Sequence, residues 1–334
     1  MTRDVGIGVF LPTFSTRDRR TGKEIGEFAE TAESLGFDSL WATDHLLHGS
    51  LFYRASWLDP LVALTYASAR TSRVDLGTSI LVMPTRHPLT LAKEIATLQS
   101  LCGDRFILGA GTGWDPQEFE AMGIIKSERG KRTDESIEIV RRLLTGETVT
   151  FEGDHYRIHD IEIEPAAARV MRLWVGGGRQ LVHEKSPERS VMAPKVLQRI
   201  ARADGWIARP TSTAAQISED LSDIRDHLEL KGRDVESLVV AHENFLHLVD
   251  VDDPEKAREQ QKHAFSQVMG DQRPFEYLDE VYLTGTIQEV QDKLKKRIEA
   301  GVRYLMLHTL TPEPEQLTAW REHIFPLLGP TSSG

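Results

Sequence analysis

The chain has 334 residues, 40% hydrophobic and 27% charged, with a formal net charge of −11 and a single cysteine. That balance describes a globular protein able to bury a large core, and it argues against a nucleic-acid surface, which needs a basic stripe. The lone Cys102 excludes an intrachain disulfide and suits a reducing cytoplasm; no signal-peptide pattern and no apolar run near ~20 residues occurs, so a cytoplasmic, membrane-free protein is expected.

Taken in order, one plan repeats: apolar strand, polar turn, amphipathic helix. VGIGVFLP (Val5–Pro12) reads as a strand, and Lys23–Gly36 as a helix stopped by Gly36. Ser39–His45 is the second strand, followed by a helix over Asp59–Arg70. DLGTSILVM (Asp75–Met83) is nearly all apolar, as a parallel strand covered on both faces would be. Pro88–Leu101 is a helix, RFILGAGTG (Arg105–Gly113) the fourth strand, and Thr133–Leu144 a helix.

The plan then breaks. TVTFEGDHYRIHDIEIEP (Thr148–Pro165) alternates with period two around Gly153-Asp154, which predicts an inserted β-hairpin. Strands resume at LWVGGG (Leu173–Gly178) and GWIARP (Gly205–Pro210), separated by an irregular charged stretch, Arg179–Lys195. A helix (Ala214–Leu230), a strand (Leu238–Val249) and a helix (Pro254–Met269) follow, then a less regular Gly270–Leu283. Thr286 and Glu289 form a capping box ahead of a stripe of Ile287, Val290, Leu294 and Ile298. A last strand, Tyr304–Leu310, precedes a helical Pro314–Leu327. Eight strands and about eight helices predict an α/β protein, a (β/α)8 TIM barrel, with a hairpin insertion and an extended loop after strand 5. The alternative is an open sheet with a second domain. No Pro/Gly/Ser linker divides the chain, so residues 1–334 are read as a single domain.

Chemistry in such a repeat sits where strands end. Asp44-His45 ends the second strand; His45 is a candidate base or hydrogen-bond donor, or else a structural histidine. Gly77-Thr78-Ser79-Ile80 would let a flat ligand approach the third strand. Gly109-Ala110-Gly111-Thr112-Gly113 resembles a dinucleotide fingerprint, but Trp114 stands where the third glycine belongs and the strand is the fourth, so that reading fails. These glycines fit passage beside a planar ring. Gly176-Gly177-Gly178 makes a candidate anion nest, with Arg179 adding charge, or a plain flexible turn. His45 and His48 lack a third ligand in sequence, so no metal is expected. P-loop, HExxH, paired CxxC and nucleophile-elbow motifs do not occur.

Several of these pieces together carry a resemblance. DLGTSILVMPTRHPLTLAKEIATLQSLCGDRFILGAGTGWDPQEFEAMG (Asp75–Gly123), ERGKRTDESIEIVRRLL, LWVGGG, ADGW (Ala203–Trp206) and TGTIQEVQDKLKKRIEAGVRYLML make the chain resemble the bacterial luciferase-like flavin-dependent monooxygenases and their deazaflavin (F420)-dependent relatives. The resemblance runs from about Val5 to Leu327 and implies a TIM barrel. It implies catalytic roles for Asp44 and His45, and a non-prolyl cis peptide at Ser79-Ile80 behind a flavin ring. It also implies ring contacts at Gly111 and Thr112, and a phosphate held by Gly176, Gly177, Gly178 and Arg179. The implied cofactor is reduced FMN or F420; the implied partners are a small-molecule substrate, a separate flavin reductase and a second copy of the chain. The leading expectation is a monooxygenase using reduced FMN and O2; the alternatives are an F420-dependent hydride transferase and a non-catalytic flavin-binding barrel. The stretch from Arg179 to Lys195 is longer than the family's usual run.

Overall fold

The computed structural model describes residues 3–15, 20–49, 53–180 and 190–329. Eight parallel strands close into a barrel: β1 (Gly6–Phe10), β2 (Ser39–Ala42), β3 (Asp75–Thr78), β4 (Phe106–Gly111), β5 (Arg172–Gly176), β6 (Gly205–Ala208), β7 (Val239–Phe245) and β8 (Tyr304–His308). Each strand pairs with the next; β8 pairs with β1, and the β4–β5 ladder, Arg172 opposite Ile107 through Val175 opposite Ala110, completes the ring. The expected TIM barrel is therefore what the sequence forms.

The helices α1 (Gly22–Leu35), α2 (Pro60–Ser68), α3 (Pro88–Cys102), α4 (Pro116–Ala121), α5 (Arg129–Leu144), α6 (Pro194–Ile200), α7 (Ala214–Leu230), α8 (Pro254–Met269), α9 (Phe275–Val281), α10 (Ile287–Glu299) and α11 (Glu315–His323) pack outside. Local chemistry sets their ends. Thr286 and Glu289 close the expected capping box on α10, as Thr21 and Glu24 do on α1. The expected hairpin insertion pairs Val149–Glu152 with Arg157–Ile161. α4 and α9 lie where no helix is expected from the sequence, because six and seven residues are too few to display a period. Of the long segment after β5, residues 181–189 lie outside the described ones. Among the described residues, no helix is long and apolar enough to cross a membrane.

The core has three parts. The largest lies between barrel and helices. A second fills the barrel itself in layers: Ser39 and Tyr304, joined at 2.7 Å, lie low, and Trp41, Trp174, Ile107, Ala241 and Met306 sit above them. Trp41, Trp174 and Tyr304 have ring centroids 5.0–6.3 Å apart. The third, built from Phe14, Phe245, Phe265, Tyr282 and Leu310 with Tyr53 and Trp57 against it, joins α8 and α9 to the loops at the strands' carboxyl ends.

Candidate active site at the barrel mouth

β3 leaves its ladder early. Leu76 and Gly77 pair with Phe106 and Ile107, and pairing returns with Leu81 opposite Ala110, so β3 spends one extra residue. Within this bulge the Ser79-Ile80 peptide is cis, as the resemblance implied. Thr78 bridges the gap: its hydroxyl donates to the Gly109 carbonyl at 2.9 Å and accepts from the Gly109 N–H at 3.1 Å. The glycines answer to this bulge. A Cβ on Gly109 would collide with the Thr78 carbonyl oxygen, and one on Gly111 with the tip of Ile80. A Cβ on Gly176 would come within 2.7 Å of Ile80 Cγ2. Ile80 thus lies across β4 and β5 as an apolar floor, at the strand ends that contribute no side chain of their own.

His45 follows β2, and its side chain is only 7% exposed. Its Nδ1 lies 3.2 Å from Glu118 Oε1. Glu118 is the third residue of α4, whose start is fixed by the Asp115 cap and Pro116. The same Glu118 oxygen accepts the Leu46 N–H at 2.8 Å, so one carboxylate holds both the imidazole and the loop that carries it. Burial works against ionising Glu118, but the hydrogen bond from His45 and the N–H groups of Leu46 and Leu47 outweigh it and hold the carboxyl below the ordinary range. The rings of Trp57, Tyr53 and Trp114 surround His45 at 4.9, 5.5 and 5.6 Å between centroids. With Nδ1–H turned to Glu118, Nε2 is left as the proton acceptor.

Asp44 turns the other way. It accepts the Val82 N–H at 2.8 Å and is gripped by both Arg86 amines, one of which also bonds Asp59 at 2.9 Å. Burial pushes its carboxyl up, against the opposing pull of Arg86. The arrangement ties the β2 loop to the turn after the bulge. Asp44, Arg86 and Glu118 also line a cleft of about 210 Å3 at this rim. A larger recess of about 390 Å3, lined by Arg141, Thr145 and Met171, lies at the C-terminal end of α5, away from these groups.

Beside the bulge a second buried polar group meets. Ser79 Oγ lies 2.5 Å from Glu243 Oε2, and Glu243 Oε1 lies 2.8 Å from His308 Nε2. Neither Glu243 nor His308 stands out in the sequence reading; the signal was there as an acid inside the apolar strand VVAHENF and a histidine closing YLMLH. Glu118 carried a fainter one, an acid in the first turn after Asp-Pro.

The glycine loop is partly engaged within the protein. Gly177 N–H donates to the Ile207 carbonyl and its own carbonyl accepts Trp206 Nε1–H at 2.9 Å. A Cβ on Gly178 would stand 2.5 Å from Asp220 Oδ2. Arg179 is paired with Asp223 at 2.8 Å, with Asp220 at 3.8 Å, so its charge is answered within the protein. Thr112, at the end of β4, turns its hydroxyl toward the Gly113 carbonyl. The mouth therefore gathers His45, Ser79, Ile80, Gly111 and Gly176, while Asp44 and Arg179 are committed to salt bridges. The residues present suit a planar polar cofactor: a glycine-lined floor, and buried hydroxyls of Thr43, Ser212 and Thr309 just past β2, β6 and β8 that have no hydrogen-bond partner among the described residues.

A parallel barrel with a carboxylate-held histidine and a polar rim at its carboxyl end is the arrangement that barrel enzymes use. Comparison with known proteins makes the assignment specific. The profile of the luciferase-like monooxygenases matches residues 5–276. An uncharacterised protein of Mycobacterium tuberculosis is 36% identical over 151 residues, 45% of this chain and 48% of that one, so the match spans about half of that relative's length. The F420-dependent glucose-6-phosphate dehydrogenase of Nakamurella multipartita is 28% identical over 336 residues, covering 91% of this chain and 92% of the relative. The crystal structure of monooxygenase RslO1 from Streptomyces bottropensis superposes with a TM-score of 0.78 at 24% identity, covering 96% of this chain and 99% of that one. The chain belongs to the luciferase-like monooxygenase family.

Proposed function

We propose that this chain binds a flavin-type ring at the barrel mouth and oxidises a small organic substrate with it, most simply as a monooxygenase using reduced FMN and O2. The observation that carries this reading is the His45–Glu118 pair inside its ring of aromatic side chains. A bound reduced flavin would supply the electrons that, with O2, oxygenate the substrate. The protein's own part is to orient and to move a proton. Glu118 keeps His45 Nδ1 protonated and its ring fixed; Nε2 takes or returns the substrate's proton; Tyr53, Trp57 and Trp114 keep bulk water away from that exchange. The Ile80 floor and the glycines of β4 and β5 leave room for a flat ring. The turn Gly176–Gly178 would meet its phosphate through the backbone of Gly178, since Gly177 is bonded to Ile207 and Trp206, and without the Arg179 charge.

A second reading, hydride transfer with F420, is favoured by F420-dependent glucose-6-phosphate dehydrogenases that align over nine-tenths of the chain. His45 would then serve as the base for an alcohol. In either reading the outer faces of α2 and α3, with exposed Val62, Tyr66 and Leu101, support the expected homodimer, and the FMN reading adds a separate flavin reductase.

Anaerobic titration with reduced FMN and with reduced F420 tests the proposal. Tight binding of reduced FMN followed by substrate-dependent O2 uptake is expected. Substrate turnover without O2 selects F420, and binding of neither ring ends the flavin reading.

A further inference from the structure

Glu243 is an acid inside an apolar strand, and the chemistry above gives it no task. It is 8% exposed, on the barrel's inner face two residues beyond Ala241. Its two oxygens are both used, one by Ser79 and one by His308. As a carboxylate it has no proton to give, so both partners must donate to it. That determines two hydrogens. His308 carries its proton on Nε2 and is neutral, because burial pulls its imidazole down despite the Glu243 charge. His308 is also held in place: Phe10 and Phe245 stack on it at 3.4 and 4.2 Å, within 14° of parallel, and two such rings fit only on opposite faces. Ser79 is determined likewise. With its hydrogen turned to Glu243, the Ser79 oxygen offers only lone pairs to anything beside Ile80.

We propose that Glu243, backed by the clamped His308, is a positioning residue that turns the Ser79 hydroxyl into a hydrogen-bond acceptor for the N–H of a dihydroflavin at the mouth. This rests on the FMN reading above. An oxidised flavin has a bare acceptor nitrogen at ring position 5, whereas the reduced ring has an N–H there. A serine free to rotate could serve either state; one whose proton is committed serves the donor. The device thus selects the reduced state of the ring, through three residues from β7, β8 and the bulge after β3.

The test is redox-resolved binding with FMN as the probe, oxidised in air or dithionite-reduced under argon, read by fluorescence quenching. Circular dichroism melts check folding. Wild-type protein should bind reduced FMN about tenfold or more tighter than oxidised FMN, one charge-assisted hydrogen bond in size. Ser79→Ala, which removes the acceptor and leaves the Glu243–His308 bond intact, should bring that ratio below about threefold. Glu243→Gln, which frees the serine proton, should do the same; Glu243→Asp should restore part of the ratio. Wild-type protein that binds FMN with no preference between the states overturns this inference alone, as does an unchanged preference in folded Ser79→Ala. Failure to bind either state overturns it together with the FMN reading.

Discussion

A single oxygen of Glu118 lies 3.2 Å from the His45 imidazole and 2.8 Å from the backbone nitrogen of the next residue, Leu46. The carboxylate therefore sets both the tautomer of the imidazole and the position of the chain that carries it. Removing the charge but not the shape separates these duties. Glu118→Gln should lower kcat about a hundredfold while coenzyme affinity changes less than threefold, measured by steady-state turnover and by titration. An unchanged kcat would take His45 and Glu118 out of the proton transfer.

The same carboxylate gives a pH signature. Its pKa is lower in the folded chain than in the unfolded one. The stability this contributes is complete above the ordinary glutamate value of ~4.3 and is lost as pH falls through the folded value. Thermal melts should show Glu118→Gln losing less stability than wild type between about pH 5 and pH 3.

His242 behaves in the opposite chemical sense with the same slope. It is fully buried on β7, and burial, with the nearby Arg297 cation, holds its pKa well below the ordinary histidine value. The unfolded chain binds a proton at ~6.5 that the folded chain refuses, so acidification below that point favours unfolding by up to about 1.4 kcal/mol per pH unit. Replacement by a neutral side chain, His242→Gln, should flatten the decline in melting temperature between pH 6.5 and 5.

Asp44 and Arg86 form a partly buried pair that Asp59 extends. Asp44→Ala leaves the Arg86 guanidinium without its main partner and should cost roughly 3 kcal/mol in denaturant unfolding. The double variant with Arg86→Met should cost less than Asp44→Ala alone. Additive losses would show the two side chains to be independent.

Gly109 and Arg179 separate backbone necessity from apparent charge. Gly109→Ala places a methyl group on the Thr78 carbonyl, a backbone atom that cannot step aside, and should give insoluble protein or a loss above about 4 kcal/mol. Arg179→Ala, whose charge is already answered by Asp223, should change FMN affinity less than threefold by titration.

The barrel was legible in the sequence because its signals are local and repeated. The strand from Asp75 is nearly all apolar since both faces are covered, and Thr286 with Glu289 announces a helix within four residues. The site was only half legible, for the converse reason. His45 stood out as a histidine ending a strand. Its partner lies 73 residues away on a six-residue helix, and Glu243 meets Ser79 across 164 residues. No periodicity encodes such meetings. Arg179 reads in sequence, beside three glycines, as an anion anchor, and only the packing of α7 brings Asp220 and Asp223 against it. The glycines of β4 stand out in the sequence, and their nearest neighbour is the bulged third strand.

The rings of Trp41, Trp174 and Tyr304 fill the barrel beneath the mouth. A vessel stoppered at its base has one doorway. Whatever settles deepest must arrive before, and depart after, whatever lies above it; under the proposed flavin reading the coenzyme would be first in and last out, with substrate and product exchanging over it.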